Sequence, residues 1–483
     1  MSCVRVFVAL MVVSGCTDMG GISTAEVRAT DLGATPGGQQ DIGSARQMLN
    51  QGRLPSAEML TYQGIFSEHD LGFANPEPCL SGRTLCIEAR AGTVDLVSVE
   101  GDQDTLVQIG FDTGIETPFT RKPLNLSLVV DVSGSMSGDR IAATREALRT
   151  LVESLRDDDT FSLISFNSTA TVRLEPTSGG NKTQLIDAIE TLQAGGGTDI
   201  GAGLDEGFSQ IRSELNNENR QSVLHRVMLF TDMHPNQGVR DGRTFVRMLE
   251  SAAEDAIGVT SFGVGIDFGA DLANQVSQVR GGNYFHLETP EKIRRVFDRD
   301  FDLMVTPLAY DLQISLMAPA GYEIVDAYGL AGAGTTRCGE LPSSRCIGLS
   351  IPTVFLSRGG GGMFMRLKVK PGDDQPGDPI FVGHVVYSDE AGDSVEQDSE
   401  ASLAPGEVPG ASQTEASIRM AAQLINVIDV LKQFASRSTD ETMVWSVVDR
   451  LRAEVVELGE RSDSLLNELV LLYQAIEVVR GQR

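Results

Sequence analysis

Beyond its first residues, the 483-residue sequence lacks any apolar run long enough to span a bilayer, which excludes a helical span there. Positive charge is scarce. There are 39 Lys and Arg against 67 Asp and Glu, and the resulting net charge of -28 leaves no basic surface to neutralise phosphates. Nucleic acid is therefore not an expected partner; such acidity favours cations, although a merely soluble surface also carries much of it. Histidine is rare, and none of His69, His225, His234, His286 and His384 belongs to a catalytic triad or an HExxH pattern. His234, near Asp232, is the one histidine that suits a base, and it reads as a surface-loop residue. A GxSxG elbow is missing, and "SRGGGGMF" lacks the Gly-Lys-Ser/Thr of a P-loop. The stretch "GDDQPGD" at Asp373 and Asp374 lacks EF-hand spacing and reads as a solvated loop. No solenoid repeat is visible. The sequence therefore presents no recognisable enzyme, and a non-enzymatic role is expected without an organic cofactor.

Cysteines are few, six in all, and no CxxC pair with a nearby histidine exists to favour zinc. Setting aside Cys3 and Cys16, the rest form two local couples, Cys79/Cys86 and Cys338/Cys346, each among turn residues. Two short-loop disulfides in an oxidising compartment fit best, although four cysteines allow three pairings. Export is also indicated by the start, "MSCVRVFVALMVVSGC", with one arginine, the apolar stretch Val6–Val13 and small residues before Cys16. Its ending resembles the bacterial lipobox, which implies that residues 1–15 are a lipoprotein signal peptide and that Cys16 carries acyl chains. An ordinary secretory signal cut elsewhere is the alternative. Thr17 follows Cys16, with Asp18 only after it, so the resemblance favours the outer membrane over the inner within the cell envelope.

Residues 16–40 are small, polar and glycine-rich, as expected of a flexible tether. Residues 41–122 read as an extension with a short helical patch and two alternating strand-like runs, "GTVDLVSV" and "DTLVQIGF". From Leu124 the texture becomes strand and helix in alternation. Helices are expected around 140–155, 182–192, 200–215, 242–254, 271–279 and 291–304. Near-continuously apolar strands between helices predict a mostly parallel, doubly wound α/β sheet covered on both faces. Residues 305–405 read as a β-sandwich with Gly- and Pro-rich turns, and residues 406–483 as helices.

The chemistry gathers where apolar strands end. In "LNLSLVVDVSGSM" a strand finishes in Asp131, Ser133 and Ser135, with Gly134 allowing the loop to curl. "QAGGGTDIGAGL" delivers Thr198 just ahead of a helix, and "VMLFTDM" is another apolar strand ending in Asp232. Ligands of open α/β sheets bind beyond the carboxyl ends of strands. Two carboxylates and three hydroxyls are small, hard oxygen donors, suited to Mg²⁺, Mn²⁺ or Ca²⁺ and poorly suited to zinc or copper.

Taken in this order, the DxSxS triplet, the threonine in a glycine loop and the strand-terminal aspartate resemble a von Willebrand factor A domain and its metal-ion-dependent adhesion site. The resemblance spans residues 123–304 and fills all five motif positions: Asp131, Ser133, Ser135, Thr198 and Asp232. It implies that the serines, and in one state the threonine, contact the ion directly, that the aspartates act through water, and that an acidic side chain of a protein partner completes the shell. The chain departs from the family pattern at Met233, His234 and Pro235, where glycine usually follows the last aspartate. Segments before and after the domain are similar to those of a bacterial subgroup, which implies an A domain inserted in or flanked by one β-sandwich. The expected function is a cation-dependent protein-binding or adhesion module on a lipid-anchored envelope protein. A structural or assembly lipoprotein, or a metal-assisted hydrolase, is the alternative.

Overall fold

The computed structural model describes residues 32–37, 39–40, 42–73, 79, 83–97, 104–115, 119–215, 221–232, 236–239, 241–264, 275–287, 293–318, 322–329, 345–358, 361–369, 379–402, 415–436, 441–458 and 464–481. The chain enters through strands Leu32–Pro36 (β1) and Gln39–Gln40 (β2), helices Ile42–Asn50 (α1) and Tyr62–Phe66 (α2), and strands Cys86–Val94 (β3) and Asp104–Asp112 (β4). Two sequence expectations need correction here. Residues 32–36 and 39–40, expected within the tether, are strands. Their small side chains permit close approach: Ala34 is fully buried, and a Cβ on Gly37 would lie 2.8 Å from the Phe355 ring. The strand expected at "GTVDLVSV" lies earlier and ends at Val94. Beyond it Leu96 turns into a helical core, and the Val97 N–H donates to Asn426 Oδ1 at 2.8 Å, so these apolar residues face helices and not a sheet.

An α/β unit follows: Leu124–Asp131 (β5), Asp139–Ser154 (α3), Thr160–Phe166 (β6), Ala170–Ser178 (β7), Lys182–Glu190 (α4), Ile200–Glu214 (α5), Leu224–Thr231 (β8), Gly242–Glu254 (α6), Ile257–Val264 (β9), Gly282–Leu287 (β10) and Phe301–Met304 (α7). Its seven-stranded sheet runs β2-β10-β9-β8-β5-β6-β7, parallel throughout except for the antiparallel edge pair β6–β7. Every residue of β5 is buried because both faces are covered. Leu126, Leu128 and Val130 pack with α3 and α4, whereas Val129 packs with α5 and α6. The edge strand β7 instead alternates exposed and half-buried positions. The helix expected over 291–304 is broken: a π-helical turn at Arg295–Arg299 precedes α7. The Arg299 carbonyl accepts from Arg358 Nη2 at 2.9 Å, and Asp300 Oδ1 accepts from Arg358 Nε at 2.7 Å, which anchors the interruption. Of the helix expected at 271–279, residues 275–277 are helical and 271–274 lie outside the described residues.

Strands Pro307–Met317 (β11), Tyr322–Tyr328 (β12), Cys346–Arg358 (β13), Gly362–Val369 (β14), Pro379–Ser388 (β15) and Ser394–Ser402 (β16) complete two further sheets, β1-β13-β11-β15-β16 and β12-β14-β4-β3. Strands from before and after the α/β unit share both sheets, so that unit is inserted in a β-sandwich. β4 is buried on both sides: Val107, Ile109 and Phe111 face the sandwich core, while Leu106 joins a core with the C-terminal helices Ala416–Ala435 (α8), Glu441–Leu458 (α9) and Leu465–Gly481 (α10). Strand β16 escapes sequence reading because its polar run "SVEQDSEAS" lacks an apolar alternation; Gln397 and Ala401 are buried, whereas Ser394, Glu396, Asp398 and Glu400 are exposed. Cys79 and Cys86 form a disulfide with Cα atoms 5.6 Å apart. Cys346 is also disulfide-bonded, and Cys338 lies outside the described residues.

Candidate metal site

In sheet order β5 sits between β8 and β6; the crossover from β5 leads one way through α3, and β8 lies on the other side. The topological switch point thus falls at the carboxyl ends of β5 and β8, which carry Asp131 and Asp232. Both aspartates are fully buried, Ser133 and Thr198 are 1% exposed, and Ser135 is exposed at the rim.

Three loops are bound together by backbone and side-chain hydrogen bonds. The Gly134 N–H donates to Gly196 O at 3.0 Å, and the Gly195 N–H to Val132 O at 2.6 Å, joining the DxSxS loop to the glycine loop. Gly196 has φ of +93°, a backbone conformation that disfavours any side chain. Thr198 is tied to the loop after β8, since its carbonyl accepts from the Asn236 and Gln237 N–H groups and its own N–H donates to Asn236 Oδ1 at 2.9 Å. Immediately after it, Asp199 caps α5 by accepting from the Ala202 N–H at 3.0 Å.

Within this frame Asp131 Oδ1 accepts from the Ser133 N–H at 2.8 Å and Oδ2 from Thr231 Oγ1 at 2.7 Å. Ser133 Oγ and Ser135 Oγ lie 3.1 Å apart. Asp232 Oδ2 accepts from Arg140 Nη1 at 3.0 Å, while Asp232 Oδ1 is buried without a hydrogen-bond partner among the described residues. Burial raises the Asp131 carboxyl above the ordinary carboxylate range, against the lowering effect of the Ser133 and Thr231 bonds, and the Asp232 charge adds to the rise. Among the described residues no three His, Cys, Asp or Glu side chains gather as a metal cluster. The candidate set is of another kind, with two carboxylates and three hydroxyls.

Residues 125–299, which carry this arrangement, match the family profile described as von Willebrand factor type A domain. They are a von Willebrand factor type A domain. The chain is 24% identical over 284 residues to the uncharacterized protein YfbK of Escherichia coli (strain K12), covering 57% of this chain and 48% of that one. It is 30% identical over 205 residues to inter-alpha-trypsin inhibitor heavy chain H2 of Mus musculus, covering 40% of this chain and 21% of the relative. The chain therefore spans less than half the length of these curated relatives. Among solved structures it is similar to a von Willebrand factor type A protein from Catenulispora acidiphila, with 16% identity, a TM-score of 0.45 and coverage of 84% of this chain and 89% of that one. It is also similar to the pilus adhesin SpaC from Lactobacillus rhamnosus GG, with 14% identity, a TM-score of 0.32 and coverage of 66% and 48%.

Sequence reading missed four contributors to the A-domain rim. Thr231 and Asn236 position Asp131 and Thr198 through the bonds given above. Asn167 Nδ2 holds Gly195 O at 2.9 Å, and Arg140 sets a positive charge on Asp232. Thr231 is adjacent to Asp232, and a hydroxyl ending an apolar strand is a legible signal; the other three act across loops that only folding brings together. Met233, His234 and Pro235 lie outside the described residues, as do Asp373 and Asp374.

Proposed function

We propose that the A domain is a protein-binding module that captures an acidic side chain of a partner through a divalent cation held by Asp131, Ser133, Ser135, Thr198 and Asp232. The observation that supports this most directly is the buried Oδ1 of Asp232, without a partner among the described residues, beside three mutually bonded loops rich in hydroxyls. A buried carboxylate oxygen without a donor is costly unless a cation meets it. When bound, the cation supplies the positive charge that a partner carboxylate needs at the rim. Ser133 and Ser135 offer adjacent hydroxyl oxygens, and Thr198 a third from the glycine loop. Asp131, whose oxygens already accept from Ser133 and Thr231, orients the DxSxS loop and contributes charge. Mg²⁺, Mn²⁺ and Ca²⁺ all suit this donor set. Relatives named as inhibitor heavy chains share the domain, in keeping with a role in protein association.

The test is calorimetric titration of Mg²⁺, Mn²⁺ and Ca²⁺ into the chelator-treated chain, beside Asp131→Ala, with and without a glutamate-bearing peptide. A saturable signal lost in the variant is expected. Absence of any signal, even with the peptide present, refutes the cation reading and leaves the fold intact.

The module is further proposed to sit in the cell envelope through acyl chains on Cys16, a residue outside the described part of the structure. No helix among the described residues is long and apolar enough to cross a membrane. Labelled palmitate should enter the wild type and not Cys16→Ser; equal labelling overturns the anchor.

A further inference from the structure

At the opposite end of the A domain, where its parallel strands begin, lies a cavity of about 340 Å³. Its walls come from two units: the starts of β8 and β9 on one side, and the start of β11 with the turn between β15 and β16 on the other. Such a volume falls at the small end of the range for small-molecule sites.

On its wall sits Arg226, 3% exposed. Nη1 donates to Thr260 Oγ1 at 2.8 Å and to Gly281 O at 3.2 Å, and the guanidinium carbon lies 5.2 Å from the centre of the Phe355 ring. Nε and Nη2 have no acceptor among the described residues, and no carboxylate there pairs with this arginine. The contrast with Arg121 is direct, since that equally buried guanidinium holds Asp159 with two nitrogens. Burial pushes the Arg226 guanidinium down to about 10, which leaves it charged at neutral pH. Buried charges are ordinarily paired, and an unpaired one is costly.

The other charges on the wall do not compensate it. Lys122 is bridged to Glu390 at 2.8 Å, Arg280 is bridged to Asp311 at 2.8 Å, and Glu254 has an interaction of its own. The Nε–Nη2 edge is the side of a guanidinium that matches a planar carboxylate with two parallel bonds. Gly258 keeps this region open, because a Cβ there would lie 2.9 Å from Nη2. Beside Gln221 and His225 the wall carries an apolar stretch that includes Val305, Pro307 and the ring of Tyr310, which favours a ligand with a carbon body over a compact inorganic anion.

We propose that this cavity binds a small organic carboxylate on the Nε–Nη2 edge of Arg226, its carbon body lying against Pro307 and Tyr310. Because the walls belong to both the A domain and the sandwich, such a ligand ties the two together. This site is separate from the cation rim and does not depend on it.

The test uses the full chain and calorimetric titration with benzoate, succinate and orthophosphate, at ionic strength matched with chloride. Benzoate or succinate should give saturable heat and raise the thermal midpoint. Arg226→Met should weaken that binding by roughly 30-fold or more, as expected when one member of a buried charge pair is removed. Its ligand-free midpoint should stay equal or rise, because the unpaired charge is gone. Ala391→Trp, an exposed position on the cavity wall, should block binding without touching the arginine, and carries the test if Arg226→Met does not fold. Three outcomes overturn the proposal: no saturable heat with either carboxylate, carboxylate binding that survives in the folded variants, or binding of orthophosphate alone.

Discussion

The entry and exit of the inserted A domain meet at one buried arginine, Arg121, and its removal tests how the insertion is held. Arg121 stands just before β5, and both its side chain and that of Asp159 are fully buried. Nη1 and Nη2 meet Asp159 at 2.7 and 2.6 Å, and Nε meets Asp302, in the exit helix α7, at 2.6 Å. Arg121→Met strands a buried carboxylate, a change that ordinarily costs about 3–5 kcal/mol. Asp159 keeps the Leu124 and Arg156 N–H groups at 2.9 and 2.8 Å, which places the expected loss at the low end, about 3 kcal/mol. The bridge to Asp302 adds at most ~1 kcal/mol, since that side chain is 38% exposed and screened. For a unit of this size the midpoint should fall by roughly 6–12 °C. Fluorescence is the wrong assay, because the single tryptophan, Trp445, lies in α9 and reports the C-terminal helices. Hydrogen exchange of the β5 and β6 amides reads the A domain itself. Adding Asp159→Asn should restore part of the loss by removing the stranded charge. A loss below about 1 kcal/mol, the value of an exposed pair, would refute the reasoning.

Two further substitutions probe packing at a distance from the rim. Gly207→Ala should destabilise the A domain despite a helix-propensity gain of about 1 kcal/mol, because the added Cβ would lie 2.5 Å from Val129 Cγ2 and overpacking costs about 1–3 kcal/mol; a raised thermal midpoint would contradict this. Glu468, fully buried in α10, accepts from His69 Nε2 at 3.1 Å and from Arg46. Glu468→Gln should cost about 2 kcal/mol, seen as a shift in the urea midpoint followed by Trp445 fluorescence, and an unchanged midpoint would show that the network carries no net stability.

The inserted domain was legible because its chemistry is written locally. β5 and β8 are apolar runs that end in aspartate, and a run buried on both faces has one stable setting, a parallel sheet between helices. The five oxygen-bearing residues of the rim could be named for the same reason: each sits at a strand end or in a glycine loop, so its location follows from its neighbours in sequence. The strands inside the expected tether were not legible, since β1 pairs with β13 and β2 with β10, both more than two hundred residues away. β16 and β3 pair with their chain neighbours β15 and β4, and were missed because β16 is a polar run and the apolar residues just after β3 face helices.

Local pattern along the chain was enough to place the α/β unit, the candidate donors at its rim and the β-rich region that follows. Folding was needed to bring β1 and β4 beside strands from beyond the A domain, to set Arg140 on Asp232, and to bury Arg226 without a carboxylate among the described residues. The difference is one of range. Strand and turn preferences act over a few residues, whereas burial and charge pairing depend on which distant segments share a core, and a short apolar or charged stretch carries no record of its eventual neighbour.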